Sequence, residues 1–341
     1  MPHTAPAPVP FVARRPGVDP PPAIEQRAGA DGGYPEEFGV LAPLVADARV
    51  TDVFVNGPGS VWVDRGSGAV PEPGAPLFAD EAAVRSYAVR MMSLGGRHID
   101  EASPCVDARL HDGIRVHAVL PPVSPRGTLL SIRLPRIRRM SLDDLEGTGF
   151  FAEGGRAHLD DLVARRANLL ITGAGGSGKT TLLSAILGAA PPQERIVAIE
   201  DIAELRVEHP HFVSLEARQA NLEGAGEITL LRLVREALRM RPDRLVLGEC
   251  RGAEVRELLA ALNTGHDGGA GTLHANSLED VPARLEALGA LAGMSAGAVA
   301  RQTVSAIGAV LHVERRGPNR VLAQTGRFAL DERGRLRVVS G

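Results

Sequence analysis

Lys179 is the single lysine among the 341 residues of this chain; every other basic side chain is arginine. It lies in the run Gly173, Ala174, Gly175, Gly176, Ser177, Gly178, Lys179, Thr180, Thr181, which fits the spacing GxxxxGK[ST]. A composition that replaces lysine by arginine almost everywhere but keeps one here points to a task that arginine cannot do. A glycine-rich loop running into a helix turns backbone N–H groups toward a bound anion, at the end of the helix whose dipole favours negative charge. Lysine then reaches the β- and γ-phosphates, and the Thr180 hydroxyl suits Mg2+. The spacing therefore predicts a nucleoside-triphosphate site.

Two further segments offer carboxylates. Leu245–Glu249 is apolar and ends in Glu249, and Ile196–Ile199 is apolar and is followed by Glu200, Asp201 and, a little later, Glu204. A carboxylate at a strand tip often merely ends the strand. Beside a phosphate loop, two of them are positioned to bind metal or orient water, because ligands sit at the carboxyl ends of strands in open α/β sheets. His266 and His274 bracket the glycine-rich stretch Thr264–Asn276, where backbone can approach a ligand closely and an imidazole can report a γ-phosphate. Two histidines without nearby cysteines make no recognisable zinc set. Among the arginines, Arg109, Arg115 and Arg133 belong to the first half, and Arg239, Arg241, Arg244 and Arg251 surround the second acidic strand. The cluster Arg133, Arg136, Arg138, Arg139 could grip phosphates, anionic lipid or a partner, and a charged interdomain connector explains it nearly as well. Cys250 reads as a small buried residue filling space.

Residues 1–33, rich in Pro, Ala and Gly, read as a disordered tail without periodicity. Residues 34–135 predict a small α+β domain. Short strands at 50–56 and 60–64 flank a Gly-Pro-Gly turn, and a helix at 80–94 carries the stripe Val84, Tyr87, Ala88, Met91. Period-two alternation follows at Ile114, Val116, Ala118, Leu120 and at Leu130, Ile132, Leu134. Residues 136–160 read as a linker. In 161–341, strands at 168–172, 195–200, 244–248 and 271–274 alternate with helices at 179–189, 227–239 and 254–263. That alternation predicts a mainly parallel sheet covered on both faces, an α/β fold. The tail from Ile307 predicts β-hairpins with turns near 317–319 and 331–334.

Composition narrows the function classes. No apolar run approaches the ~20 residues needed to span a bilayer, and the N-terminal stretch does not read as a secretory signal. Two cysteines do not make a disulfide framework. A net charge of −3 and 3% aromatic residues argue against nucleic acid as a partner, since neither bulk attraction nor a stacking groove follows.

These motifs, in this order, resemble the type II and type IV secretion traffic ATPases, in particular the tight-adherence (Flp) pilus branch. The resemblance runs from about Val50 to Val313. Thr51–Gly57, Gly96–Glu101, Asp107–Arg115 and Ser131–Arg133 are similar to the family's N-terminal segments. Gly173–Thr180 is similar to its Walker A loop, Ile199–Leu205 to its acidic "Asp box", Leu245–Glu249 to its atypical Walker B, Leu238–Arg244 to the stretch before that, and Thr264–Asn276 to its "His box".

The resemblance implies a RecA-like P-loop motor behind a small α+β domain, a homohexameric ring, and ATP with Mg2+ held between the two domains. Lys179 and Thr180 would hold phosphate and metal. One of Glu200 and Glu249 would orient water and the other stand near the metal, with Asp201 beside them. His274 would report the γ-phosphate, and Arg115 or Arg133 would supply positive charge on domain closure. It further implies a cytoplasmic ATPase powering pilus assembly or protein export, held at the inner face of the membrane by a platform protein. A conjugation-related DNA-transfer ATPase and an ATP-binding assembly scaffold are the alternatives. The sequence departs from the pattern at Cys250 and at Gly268–Gly271, and the hairpin-like end beyond Val313 matches weakly.

Overall fold

A computed structural model describes residues 36–47, 49–74, 76–110, 113–134, 139–218, 226–317 and 319–340. The tail at 1–33 and two of the connector arginines, Arg136 and Arg138, lie outside the described residues. In chain order, a 3-10 segment (Glu36–Leu41) precedes α1 (Ala42–Ala46), β1 (Asp52–Val55), β2 (Val61–Asp64), β3 (Ala69–Pro71), α2 (Glu81–Leu94), β4 (Cys105–Arg109), β5 (Arg115–Val119) and β6 (Leu129–Arg133). Then come α3 (Leu142–Gly147), α4 (Gly155–Ala164), β7 (Leu169–Gly173), α5 (Lys179–Gly188), β8 (Ile196–Glu200), β9 (Phe212–Glu216), α6 (Leu230–Leu238), β10 (Arg244–Leu247) and α7 (Glu254–Leu262). The chain closes with β11 (Ala270–His274), α8 (Val281–Leu291), α9 (Ala296–Ala306), β12 (Ala309–Arg316), β13 (Asn319–Leu330) and β14 (Leu336–Ser340).

The first sheet is antiparallel throughout and runs β3-β2-β1-β6-β5-β4. One face is apolar because side chains alternate with period two. Val53, Val55, Val116, Ala118, Leu130 and Ile132 all point into one core, together with Val84, Tyr87, Ala88 and Met91 of α2. That helix starts where the Asp80 carboxylate accepts the Ala83 N–H at 2.8 Å, and ends at Gly95.

The second sheet runs β14-β13-β12-β7-β11-β10-β8-β9, parallel from β12 to β9 and antiparallel in the two outer strands of the other edge. Its central strands are buried along their whole length, as strands covered on both faces must be. Alternate residues divide between two cores: Leu170, Val197, Ile199, Leu245 and Leu247 face α6, α7, α8 and α9. Leu169, Ile171, Ile196, Ala198 and Val246 face α3, α4 and α5. The fold is an α/β, RecA-like P-loop architecture preceded by a small α+β unit.

The stretch 136–160, expected to be a linker, carries α3 and most of α4. Leu142, Leu145, Phe150 and Leu159 are buried in the same core as α5. A capping box between Ser141 and Asp144 starts α3, so local signals for structure lay within a segment whose polar surface reads as a connector. Helices α8 and α9 and strand β9 had no counterpart in the sequence reading; β9 is a half-buried edge strand with little periodic signal. The expected hairpins at the C-terminal end are present as β12, β13 and β14, with the last turn closed by Gly334 N–H donating to Asp331 O at 2.9 Å.

Candidate functional site: a phosphate loop at the tips of the parallel strands

β7 delivers the loop. Gly173, Gly176 and Gly178 have φ of +148°, +69° and +106°, conformations natural to glycine. At Gly173 close packing adds a second constraint: a Cβ there would lie 2.2 Å from the Val313 carbonyl oxygen and 2.6 Å from Ser177 Oγ. The first helical bond of α5 runs from the Leu182 N–H to Gly178 O. The N–H groups of Lys179, Thr180 and Thr181 precede it, and groups at that position have no acceptor within their own helix. Thr180 and Thr181 are half-buried on this first turn.

Lys179 folds back on the loop. Its Nζ donates to Gly173 O at 2.9 Å and to Ala174 O at 2.8 Å. Burial pulls its pKa down to about 8, opposed by the charge of Glu249. Ser177 Oγ is buried without a hydrogen-bond partner among the described residues. The ammonium that these loop carbonyls accept from, together with a hydroxyl and helix N–H groups, is a donor set that fits phosphate oxygens.

The strands beyond β11, β10 and then β8, bring the acids. Glu200, at the end of β8, is only 3% exposed. Its Oε1 accepts the N–H groups of Glu204 and Leu205, each at 2.9 Å, while Oε2 finds no partner among the described residues. Burial pushes this carboxyl up to about 7, with the Glu216 charge adding to the rise and the Leu205 N–H opposing it. Glu249, just past β10, is held from two sides: His274 Nε2 lies 2.8 Å from Oε1 and Arg251 Nη2 lies 2.6 Å from Oε2. His274 ends β11, and its Cε1 would lie 3.7 Å from a Cβ at Gly175. Burial, followed by the Lys179 charge, lowers its pKa. Lys179, Glu249, Arg251 and His274 thus share one electrostatic environment.

Asp201 is tied to both halves of the molecule: its carboxylate is 3.4 Å from Arg251 Nη1, and its carbonyl accepts from Arg109 Nη2 at 2.9 Å. Arg109 also pairs with Glu216, and Arg115 pairs with Glu204. Arg115 is pushed below the usual guanidinium range by burial and by the neighbouring charges of Arg133, Arg251 and Arg109. Arg133 sits opposite Arg115 in the sheet register but turns to Asp52 at 3.1 Å and is 66% exposed. Of the two arginines singled out from the sequence, Arg115 therefore meets the acidic segment while Arg133 pairs within its own sheet.

His266 bonds to the Ala261 carbonyl at 3.2 Å, away from this constellation. Cys250 is buried, its thiol pushed up by burial, as expected of a space-filling residue. Sequence reasoning assigned no role to Arg109 or Arg251, and Arg320 escaped it altogether. Arg251 was findable from its place two residues beyond Glu249; Arg109 and Arg320 come in through long-range packing.

The sequence matches the family model described as type II/IV secretion system protein over residues 35–315. A putative conjugal transfer protein of Mycobacterium tuberculosis is 50% identical over 309 residues, covering 89% of this chain and 87% of the relative. The protein VirB11 of Agrobacterium fabrum is 33% identical over 267 residues, covering 69% and 76%. Among solved structures, the ATPase DotB of Legionella pneumophila shares the fold with a TM-score of 0.55 at 17% identity, covering 86% of this chain and 80% of that one. The chain belongs to the type II/IV secretion traffic ATPase family. No helix among the described residues is long and apolar enough to cross a membrane.

Proposed function

We propose that the chain is a Mg-dependent ATPase motor that works as a homohexameric ring, powering pilus assembly or protein export of the tight-adherence or type II/IV secretion type. The observation that carries this reading is the placement of Lys179, Glu249 and Glu200 at the carboxyl-end edge of one parallel sheet, after β7, after β10 and at the end of β8, with Arg109 and Arg115 entering from the other sheet. ATP with Mg2+ supplies the transferable phosphoryl group and its charge neutralisation. Gly173–Thr181 binds the phosphates, and Lys179 exchanges two loop carbonyls for phosphate oxygens. Thr180, Asp201 and one of the two glutamates hold the metal side of the site.

Glu249 is engaged by His274 and Arg251, so freeing its carboxylate to orient water requires that clamp to open. Glu200, with one buried oxygen unpartnered, is the second acceptor. His274, beside the loop, senses its occupant. Arg115 brings positive charge to the acidic segment, where preorganised charge stabilises a phosphoryl-transfer transition state. Arg133 joins it only by leaving Asp52. A nucleotide that binds one arrangement of the two halves better than another shifts their population, and that shift is the mechanical output. The site of action is the cytoplasmic face of the inner membrane, reached through a platform protein.

The test is ATP hydrolysis per chain across a dilution series, with and without Mg2+, against Lys179→Ala. Expected are a Mg-dependent rate that climbs with concentration and a variant that folds but does not turn over. Native turnover by Lys179→Ala overturns the reading. A second reading, a conjugative DNA-transfer motor, is favoured by the conjugal-transfer name of the 50% identical relative. Hydrolysis stimulated by DNA with a steep salt dependence would select it.

A further inference from the structure

The family model ends at residue 315, yet a side chain beyond that point reaches the phosphate loop. Arg320, the second residue of β13, donates from Nε to the Gly176 carbonyl at 3.2 Å. Its methylenes lie over Gly178, where a Cβ would come 3.2 Å from Arg320 Cδ and 3.8 Å from its Cβ. β12 brings it there by pairing in parallel with β7, which leads into the loop.

The Gly176–Ser177 peptide is consequently held at both ends. Arg320 binds its carbonyl, and its N–H donates to Ala174 O at 3.3 Å, the same carbonyl that accepts Lys179 Nζ. A guanidinium presents several donors in a rigid plane and keeps its charge at any accessible pH, so it fixes the peptide it binds and adds positive potential beside it. Across the hairpin Arg320 is in register with Arg315, whose Nη2 donates to Gly66 O between β2 and β3 at 3.3 Å. One cross-strand pair therefore touches the phosphate loop on one side and the small sheet on the other.

We propose that Arg320 is a positioning residue of the nucleotide site, holding the tip of the phosphate loop in its binding form and adding positive charge beside it. The hairpin of β12 and β13 is then part of the site's wall. The inference rests on the reading of Gly173–Thr181 as a nucleotide site.

The experiment measures equilibrium binding of a fluorescent ADP derivative to the full chain and to Arg320→Met, Arg320→Lys and Lys179→Ala, with unfolding temperatures in parallel. Arg320→Met keeps the packing over Gly178 but loses both charge and donor. It is expected to bind roughly tenfold more weakly, with a smaller nucleotide-induced rise in Tm, a raised KM for ATP and kcat within about threefold of the parent. Arg320→Lys, which restores charge without the planar donor, is expected to fall between the two. Should Arg320→Met unfold several degrees early without nucleotide, Arg320→Lys decides: a loss of threefold or more supports the inference, and parental affinity overturns it. Parental binding by a folded Arg320→Met with lost binding by Lys179→Ala overturns this inference alone. Parental binding by Lys179→Ala overturns the site reading and this inference with it.

Discussion

Replacing Glu200 by glutamine is expected to change how stability depends on pH, and by a calculable amount. The carboxyl titrates near 4.5 in an ordinary environment and is pushed up to about 7 in the fold, chiefly by burial at the tip of β8. The folded protein thus holds this proton more tightly than the unfolded chain does. The sign follows: the contribution is fully present below about pH 4.5, declines as pH rises through the interval, and is lost above about pH 7. At ~1.4 kcal/mol per pH unit, the interval from 4.5 to about 7 corresponds to about 3 kcal/mol.

Glutamine carries no titrating proton there. Its amide nitrogen inherits the position of the unpartnered Oε2, adding a pH-independent cost of ~1–3 kcal/mol. The parent's advantage over Glu200→Gln should therefore shrink by about 3 kcal/mol between pH 4.5 and pH 8, whatever its absolute size. Urea unfolding in EDTA, followed by circular dichroism at half-unit steps, reads this directly, and groups common to both proteins cancel in the difference. A gap that stays constant across the range refutes the argument that Glu200 is protonated in the folded, metal-free protein. The result also bears on chemistry, because a carboxyl poised near neutrality exchanges a proton readily at working pH.

Three other substitutions separate the parts of the site. Arg115→Ala, which removes the partner of Glu204, should lower ATP turnover roughly tenfold or more. Arg133→Ala, whose side chain is 66% exposed against Asp52, should stay within about twofold; equal losses would contradict the assignment. Gly173→Ala, forcing a methyl to within 2.2 Å of the Val313 carbonyl at φ +148°, should cost about 2–4 kcal/mol of stability and abolish nucleotide binding. Calorimetry and ADP binding check both, and a Tm within a degree of the parent would show that the loop and β12 move apart freely.

The elements legible in the sequence are those whose signal is local. The stripe of α2 needs only 3.6-residue periodicity, and the alternation of β5 and β6 needs only period two; both faces are buried as read. The strand–loop–helix around Lys179 is written in glycine spacing, because steric limits on φ act residue by residue. By contrast α3 and α4 join a core only because distant strands β7, β8 and β10 offer them an apolar face. Their own apolar residues, Leu142 and Leu145 on α3 and Leu159, Leu162 and Val163 on α4, make stripes too brief to set apart from a polar connector by periodicity alone. The site divides in the same way. Lys179, Glu200, Glu249 and His274 were nameable because each ends or follows an apolar strand, and a parallel sheet gathers such ends on one edge.

The choice among arginines belonged to tertiary structure alone. In a chain with 38 basic residues, nearly all arginine, residue type discriminates nothing, and which guanidinium meets which carboxylate depends on how two sheets and a hairpin pack. Arg115 faces Glu204 and Arg133 faces Asp52 although the two are cross-strand neighbours. Arg320 arrives at Gly176 from 144 positions away. Sequence specifies backbone conformation through forces acting over a few bonds; it leaves long, flexible charged side chains to be placed by contacts that exist only once the chain has folded.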